Sequence, residues 1–292
     1  MRTRILSVLC LISTFVMSFG QRHELGLQIG ATNLVGDIGR TNYVLQKPMS
    51  LTHISEFGVP FYFGALYRMN FNPYQTLRFN LGYVNIQFND QLAQENYRNQ
   101  RHNYGANSLY MAEALFEYNF LPINNEQKTP MFSPYLFAGI GGMMYSTTQH
   151  TLDYGNTPMV DASGDFVPPT DTPDIKKKMN NSLTVAVPFG VGLKYKFNYN
   201  WTIFGEFTFR PTFSDNLDYS HLSEKQVKII YDKEAVAAIR GAKKYLTKDE
   251  INQLITPYLE ANRVGNLQSK DWANSITLGI SYSFGRPPCY CD

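Results

Sequence analysis

Six charged residues sit inside otherwise apolar, alternating stretches of the 292-residue chain: Arg68, Arg78, Glu113, Glu117, Glu206 and Arg210. Carboxylates placed beside an arginine and away from water can do acid–base catalysis, because burial and a neighbouring charge move their proton affinities. The same residues paired off against one another are inert filling, since an unpaired ion in a low-dielectric interior is very costly. Other chemistry has less support. The histidines at 23, 53, 102, 150 and 221 are scattered, at no spacing that suggests a metal or a catalytic partner. Asp161, Asp165, Asp171 and Asp174 fit no EF-hand and read as a solvated acidic loop. No glycine-rich loop opens a helix, so nucleotide phosphate binding has no support.

Which of the two readings holds depends on the elements that carry the charges. From 183 to 197, Leu183, Val185, Val187, Phe189, Val191, Leu193, Tyr195 and Phe197 alternate with Thr184, Ala186, Pro188, Gly190, Gly192, Lys194 and Lys196. Near the end, Ile276, Leu278, Ile280, Tyr282 and Phe284 alternate with Ser275, Thr277, Gly279, Ser281 and Ser283. Period-two patterning over this length predicts long strands with two chemically different faces. A strand crosses a membrane in about 9–11 tilted residues, longer than the usual soluble strand. Eight such segments are predicted, at about 22–35, 57–71, 74–88, 106–121, 134–146, 183–198, 201–213 and 274–285. Glycines 139, 141 and 142 weaken the pattern of the fifth, where a bend or bulge is expected.

The connections alternate in length. Asn72-Pro73, 122–133 and 198–200 are short or moderate; 36–56, 89–105, 147–182 and 214–273 are long and polar. With both termini periplasmic, every long loop lies outside. The predicted fold is therefore all-β, an eight-stranded antiparallel transmembrane β-barrel of the Gram-negative outer membrane. Tyr199, Trp201, Tyr282 and Phe284 would sit in its interface girdles. The last long loop carries a helical insertion at 221–263: Ser223-x-x-Gln226 and Thr247-x-x-Glu250 resemble capping boxes. After the second, Ile251, Leu254, Ile255, Tyr258 and Leu259 form a helical stripe. A helical hairpin broken at Gly241 and kinked at Pro257 is expected, its two helices packing on each other, with a partner-binding groove as the alternative. Since an eight-stranded barrel is just wide enough for side chains to fill its interior, the six luminal charges are expected to form a structural network. No catalytic, cofactor-binding or metal residue is assigned, and the chain is expected not to be an enzyme. A lipid- or peptide-modifying enzyme at the rim, or a small adhesion or solute barrel, is the competing expectation.

Composition agrees. Of the residues 43% are hydrophobic and 14% aromatic against 17% charged, which excludes disorder. Outward positions are as apolar as a membrane helix, and inward ones cancel them to a mean hydropathy of −0.28. Residues 1–20 read as a secretory signal, with Arg2 and Arg4 ahead of an apolar run and small residues Ser18 and Gly20 before Gln21. Cys10 hints at a lipoprotein box, but the apolar run continues past it. The formal charge of +2 belongs to Arg2 and Arg4, so the mature chain, 21–292, is neutral and no nucleic-acid partner is expected. Cys289 and Cys291 lie in a tail, 286–292, where an i, i+2 bridge is strained. Oxidising surroundings disfavour free thiols, which leaves a strained bridge, a bond to another chain, or a tail with no role for its thiols.

Several stretches resemble the PorG family of type IX secretion system outer-membrane proteins from Bacteroidetes. They are Gln21 to Gly30 (QRHELGLQIG) with Gly36-Asp37-Ile38-Gly39, Tyr67 to Pro73 (YRMNFNP), Ser133 to Gly141 (SPYLFAGIG) and Arg210 to Asp218 (RPTFSDNLD). The resemblance implies an eight-stranded barrel without catalytic residues. Its periplasmic side would attach a ring of a PorK-like lipoprotein and a PorN-like protein, supporting protein export. On that placement Cys289 or Cys291 could tether the barrel covalently to such a partner. Non-reducing gels should show a slow-migrating adduct in the wild type that disappears in a Cys289→Ser/Cys291→Ser variant. Its absence from the wild type removes the tether.

Overall fold

The computed structural model describes residues 22–39, 60–124, 131–241, 245–266 and 269–285. Ten strands are present: β1 (Arg22–Val35), β2 (Tyr62–Asn70), β3 (Gln75–Asn89), β4 (Tyr104–Asn119), β5 (Met131–Asp153), β6 (Asp174–Ala186), β7 (Phe189–Lys196), β8 (Trp201–Phe209), β9 (Val227–Ile230) and β10 (Trp272–Phe284). The described connections hold three α-helices, α1 (Asn96–Asn99), α2 (Lys233–Arg240) and α3 (Lys248–Asn262), and two 3-10 turns, 90–92 and 224–226.

Antiparallel pairing runs β4-β3-β2-β1-β10-β8-β7-β5, and β5 pairs back onto β4, closing a ring of eight strands. Every connection between ring neighbours is a simple return, so the strand order follows the chain. The burial pattern is inverted relative to a water-soluble barrel. Leu81, Ile140 and Leu278 are 65%, 61% and 65% exposed on the outer wall, whereas Arg68, Arg78 and Glu117 are wholly buried inside. Only a hydrocarbon surrounding makes that arrangement favourable, so the chain has the fold of an outer-membrane β-barrel. Trp201 and Tyr282 stack edge to face, 5.0 Å between centroids, at the end that carries the short turns. With Tyr199 and Phe284 they form a half-exposed aromatic rim there.

Several expectations change in detail. The sixth segment is two strands, because Pro188 lacks an N–H for the ladder. β6 and β7 nevertheless keep one register on β5, Gly141 opposite Ala186 and Ala138 opposite Phe189, and together fill one place in the wall. The Pro188 carbonyl still accepts from Gly139 N, at 2.9 Å. The fifth segment is regular despite its glycines. A Cβ on Gly139 would come within 2.0 Å of the Ala114 carbonyl, so the glycine admits close strand approach rather than a bulge. The expected loop 147–182 is strand at both ends: β5 runs to Asp153 and β6 begins at Asp174. The outer half of β6 is exposed on both faces, so residues such as Lys176, Lys178 and Asn180 hide the alternation.

The helical insertion is also arranged differently. Ser223 and Gln226 cap a single 3-10 turn (224–226) that leads into β9, and β9 lies parallel to β5. The first real helix, α2, starts after Asp232, whose carboxylate accepts from the backbone N–H of Glu234 and Ala235. Thr247 and Glu250 form the expected capping box of α3. Rather than facing α2 alone, the apolar stripe of α3 serves two clusters. Ile255 and Leu259 pack with Leu152, Leu222 and Val227; Leu254 packs with Val236 of α2 and with Met159 and Val160 of the β5–β6 loop. Arg240 and Glu250, 2.7 Å apart, tie the end of α2 to the start of α3. Removing the cap with Thr247→Ala should destabilise this outer module by about 1 kcal/mol. Hydrogen exchange of 248–262 should quicken while the barrel strands stay protected.

Candidate functional site: the filled lumen

Inward parity brings all six singled-out charges together and adds two. Arg68 (β2) reaches across the lumen to Glu117 (β4) at 3.1 Å, Glu24 (β1) at 3.4 Å and Glu206 (β8) at 3.5 Å. Arg78 (β3) pairs with Glu117 at 2.7 Å and with Glu206. Lys194 (β7) donates to Glu117 Oε2 at 2.5 Å and to Asn119 at 3.0 Å. Arg210 binds Glu113 at 2.6 Å, nearer the long-loop end. Four cations thus meet four carboxylates, all buried.

Neutral groups complete the pairing. Asn70 and Ser281 donate to Glu24, Asn80 donates to Glu113, and the Tyr135 hydroxyl donates to Glu206. Guanidinium planes lie over rings, Arg68 on Phe204 at 4.3 Å and Arg78 on Phe137 at 4.7 Å, which stabilises desolvated cations further. Gly192 makes the space for Tyr135: a Cβ there would fall 2.4 Å from its ring. Nearer the short turns, Lys196 donates to the Ile123 carbonyl, and Arg22 covers the Tyr199 ring.

Toward the long-loop end the inward residues turn apolar. Val84, Ile86, Leu109, Met111, Met143 and Tyr145 form a layer closed by Leu217, which enters from the last long connection. Asn107 holds the Leu217 carbonyl at 2.9 Å.

The sequence missed Glu24 and Tyr135, whereas the inward parity of Lys194 was open to reading from its alternation with Leu193 and Tyr195. The signal for Glu24 was available, because Arg22, Glu24 and Gln28 share parity opposite Leu25, Leu27 and Ile29. Nothing in the sequence foretold that Leu217 would be the stopper.

Chemically, this lumen binds its charges to one another. Each carboxylate is held by at least one cation, and Ser281, the serine beside Glu24, gives its hydroxyl proton to that carboxylate and accepts from Arg68. His23 pairs with the Tyr67 hydroxyl, His150 with that of Tyr258, and His102 lies 3.5 Å from Gln91. His53, Cys289 and Cys291 lie outside the described residues. Asp161 caps the N–H groups of Ser163 and Asp165, Asp171 lies 3.5 Å from the Thr157 hydroxyl, and Asp174 pairs with Lys176. Among the described residues no group of three such side chains converges on a metal position.

A family model matches residues 3–169, more than half of the chain, and its description is Domain of unknown function (DUF6089). The chain belongs to this family. No curated protein matches this DUF6089 member. Among solved structures it is similar to the attachment invasion locus protein Ail of Yersinia pestis in complex with the heparin analogue sucrose octasulfate. That pair shares 10% identity over 90% of this chain and 99% of the other, with a TM-score of 0.39. The N-terminal β-barrel domain of Pseudomonas aeruginosa OprF gives 10% identity, the same coverage and a TM-score of 0.34. Neisserial surface protein A gives 12% identity over 91% and 97%, with a TM-score of 0.35. The fold assignment of this DUF6089 chain rests on its own closed ring and inverted burial.

Glu117 is the shared anion of Arg68, Arg78 and Lys194, so Glu117→Gln should lower stability by about 3–5 kcal/mol, the scale of breaking a buried pair. Urea unfolding of the barrel in liposomes reads it. The double change Glu113→Leu/Arg210→Met should cost less than Glu113→Leu alone, because it strands no charge.

Proposed function

We propose that this DUF6089 member is a structural component of the Bacteroidetes outer membrane, which anchors a periplasmic PorK/PorN-type ring and so supports protein export by the type IX secretion system. The sealed lumen carries the structural half of this reading. Charges bound to one another, topped by an apolar layer, leave no conduit and no reactive pocket inside, so function falls to the rims. The named partners come from the resemblance carried by 21–30, 36–39, 67–73, 133–141 and 210–218. With the long loops outside, both termini face the periplasm, and the short-turn rim with Lys196, Arg22 and Tyr199 would face the ring. On this reading the protein is not an enzyme, and lipid is its surrounding rather than its substrate.

An affinity pull-down of the detergent-solubilised barrel should recover a periplasmic lipoprotein ring in fixed ratio, and planar bilayers containing the barrel should pass little current. Recovery of no partner together with turnover of lipid or peptide would replace this reading with that of a rim enzyme. Steady conductance would replace it with that of a solute barrel.

A further inference from the structure

At the long-loop mouth, four carboxylates from three chain segments are buried against one another: Asp37 after β1, Asp215 and Asp218 after β8, and Asp271 before β10. Asp218 accepts from Ile38 N at 2.8 Å and Ser220 N at 3.0 Å. Asp271 accepts from Leu217 N at 2.7 Å, and Asp37 accepts from Asn266 N at 3.1 Å and the Ser269 hydroxyl at 3.3 Å. These bonds lash the root of the first long connection to both ends of the last, and they hold Leu217 in its plugging position. Gly36 and Gly265 make the crowding feasible. A Cβ on Gly36 would meet Asp218 Oδ2 at 2.6 Å and Asp271 Oδ1 at 2.8 Å, and one on Gly265 would run into the Asp37 carboxyl.

The cluster lacks compensation. Neither oxygen of Asp215, a residue 5% exposed, nor Oδ1 of the wholly buried Asp271 has a donor in good hydrogen-bond geometry among the described residues, and the nearby Ser269 hydroxyl only partly offsets the burial of Asp215. Of the surrounding charges, His221 Nδ1 stands 3.7 Å from Asp215 Oδ2, and burial lowers its proton affinity, so it is a poor cation. Lys270 acts on Asp215 from the last connection without an ion pair to it, and Arg263 beside His221 further disfavours a charge on that ring. Across the mouth, Arg98 and Arg101 donate to the carbonyls of Gly36, Gly39 and Asp37, and Arg101 pairs with Asp90. Four ionised carboxylates in this setting would repel one another at low dielectric. No group of three ligands with metal geometry exists among the described residues, which leaves protons as the compensating charge.

We propose that Asp215, Asp218 and Asp271, packed against Asp37, form a proton-held latch: sharing protons, these three keep the roots of the long connections closed over the Leu217 plug, and ionised, they release them. Burial and neighbouring carboxylates push Asp215 up to about 6 and Asp271 up to about 9, and burial raises Asp218 as well. An acid that holds its proton more tightly when folded contributes stability that is whole below the unfolded value of about 4. That contribution is lost as pH rises through about 6 and then about 9. The latch therefore tightens in acid and opens in alkali.

Hydrogen–deuterium exchange of the full-length barrel in detergent tests it, with rates expressed as protection factors so that the intrinsic pH dependence cancels. Protection of 36–39, 214–221 and 263–266 should fall about tenfold or more between pH 5 and pH 10, with the barrel strands unchanged, the scale of one lost proton-affinity unit. In Asp215→Asn/Asp271→Asn the fall should vanish; if that variant does not fold, Asp271→Asn alone should flatten the step near pH 9. A flat wild-type profile, or an equal fall in the variants, overturns the proposal. So does loss of protection on adding EDTA at pH 5, which would make the compensating charge a metal ion.

Discussion

In hydrocarbon no water is available to a backbone N–H or C=O, and the structure follows from that requirement. A sheet meets it only by closing on itself, which β5 does by pairing with β4. Closure fixes the side-chain parity, because successive residues must point alternately to lipid and to the lumen. The outer wall then has to be apolar, and whatever charge the chain carries within the membrane has to face inward.

That inward face is narrow, so its charges touch. Glu117 serves Arg68, Arg78 and Lys194 at once, and Arg68 spans to strands on the far side of the ring. Buried ion pairs of this kind are poor stabilisers compared with packed apolar groups, but breaking one is expensive. A barrel built this way gains an interior braced across its width by ion pairs. The apolar layer above it, closed by Leu217, separates the ion pairs from the water-exposed loops.

How much of this was readable in the sequence depended on which solvent each residue meets. Where one face met lipid, the alternation was plain, and the eight wall segments and the luminal place of Arg68, Arg78, Glu113, Glu117, Glu206 and Arg210 followed from it. Above the membrane the contrast vanishes. The outer halves of β5 and β6 therefore read as loop, although their ladder continues from Ser146–Asn181 to Asp153–Asp174. Local helix signals were read well at Thr247, where the cap and the stripe agree, and less well at Ser223, where the box closes one turn before a strand. The Asp37–Asp215–Asp218–Asp271 cluster was invisible because Asp271 lies at the far end of a long connection from Asp215 and Asp218, and Asp37, at the other end of the chain, joins them only through the β1–β10 seam.

The reach of Arg68 has a consequence for assembly. Its three anions lie on β1, β4 and β8, while its own strand is β2. An unclosed sheet entering lipid would keep Arg68 opposite Glu24 of β1 but leave Glu206, on the other flank, without either of its arginines. Full neutrality arrives only when the last seam joins, so the lumen acts as a checkpoint on the completed circle: incomplete rings remain charged intermediates that hydrocarbon rejects.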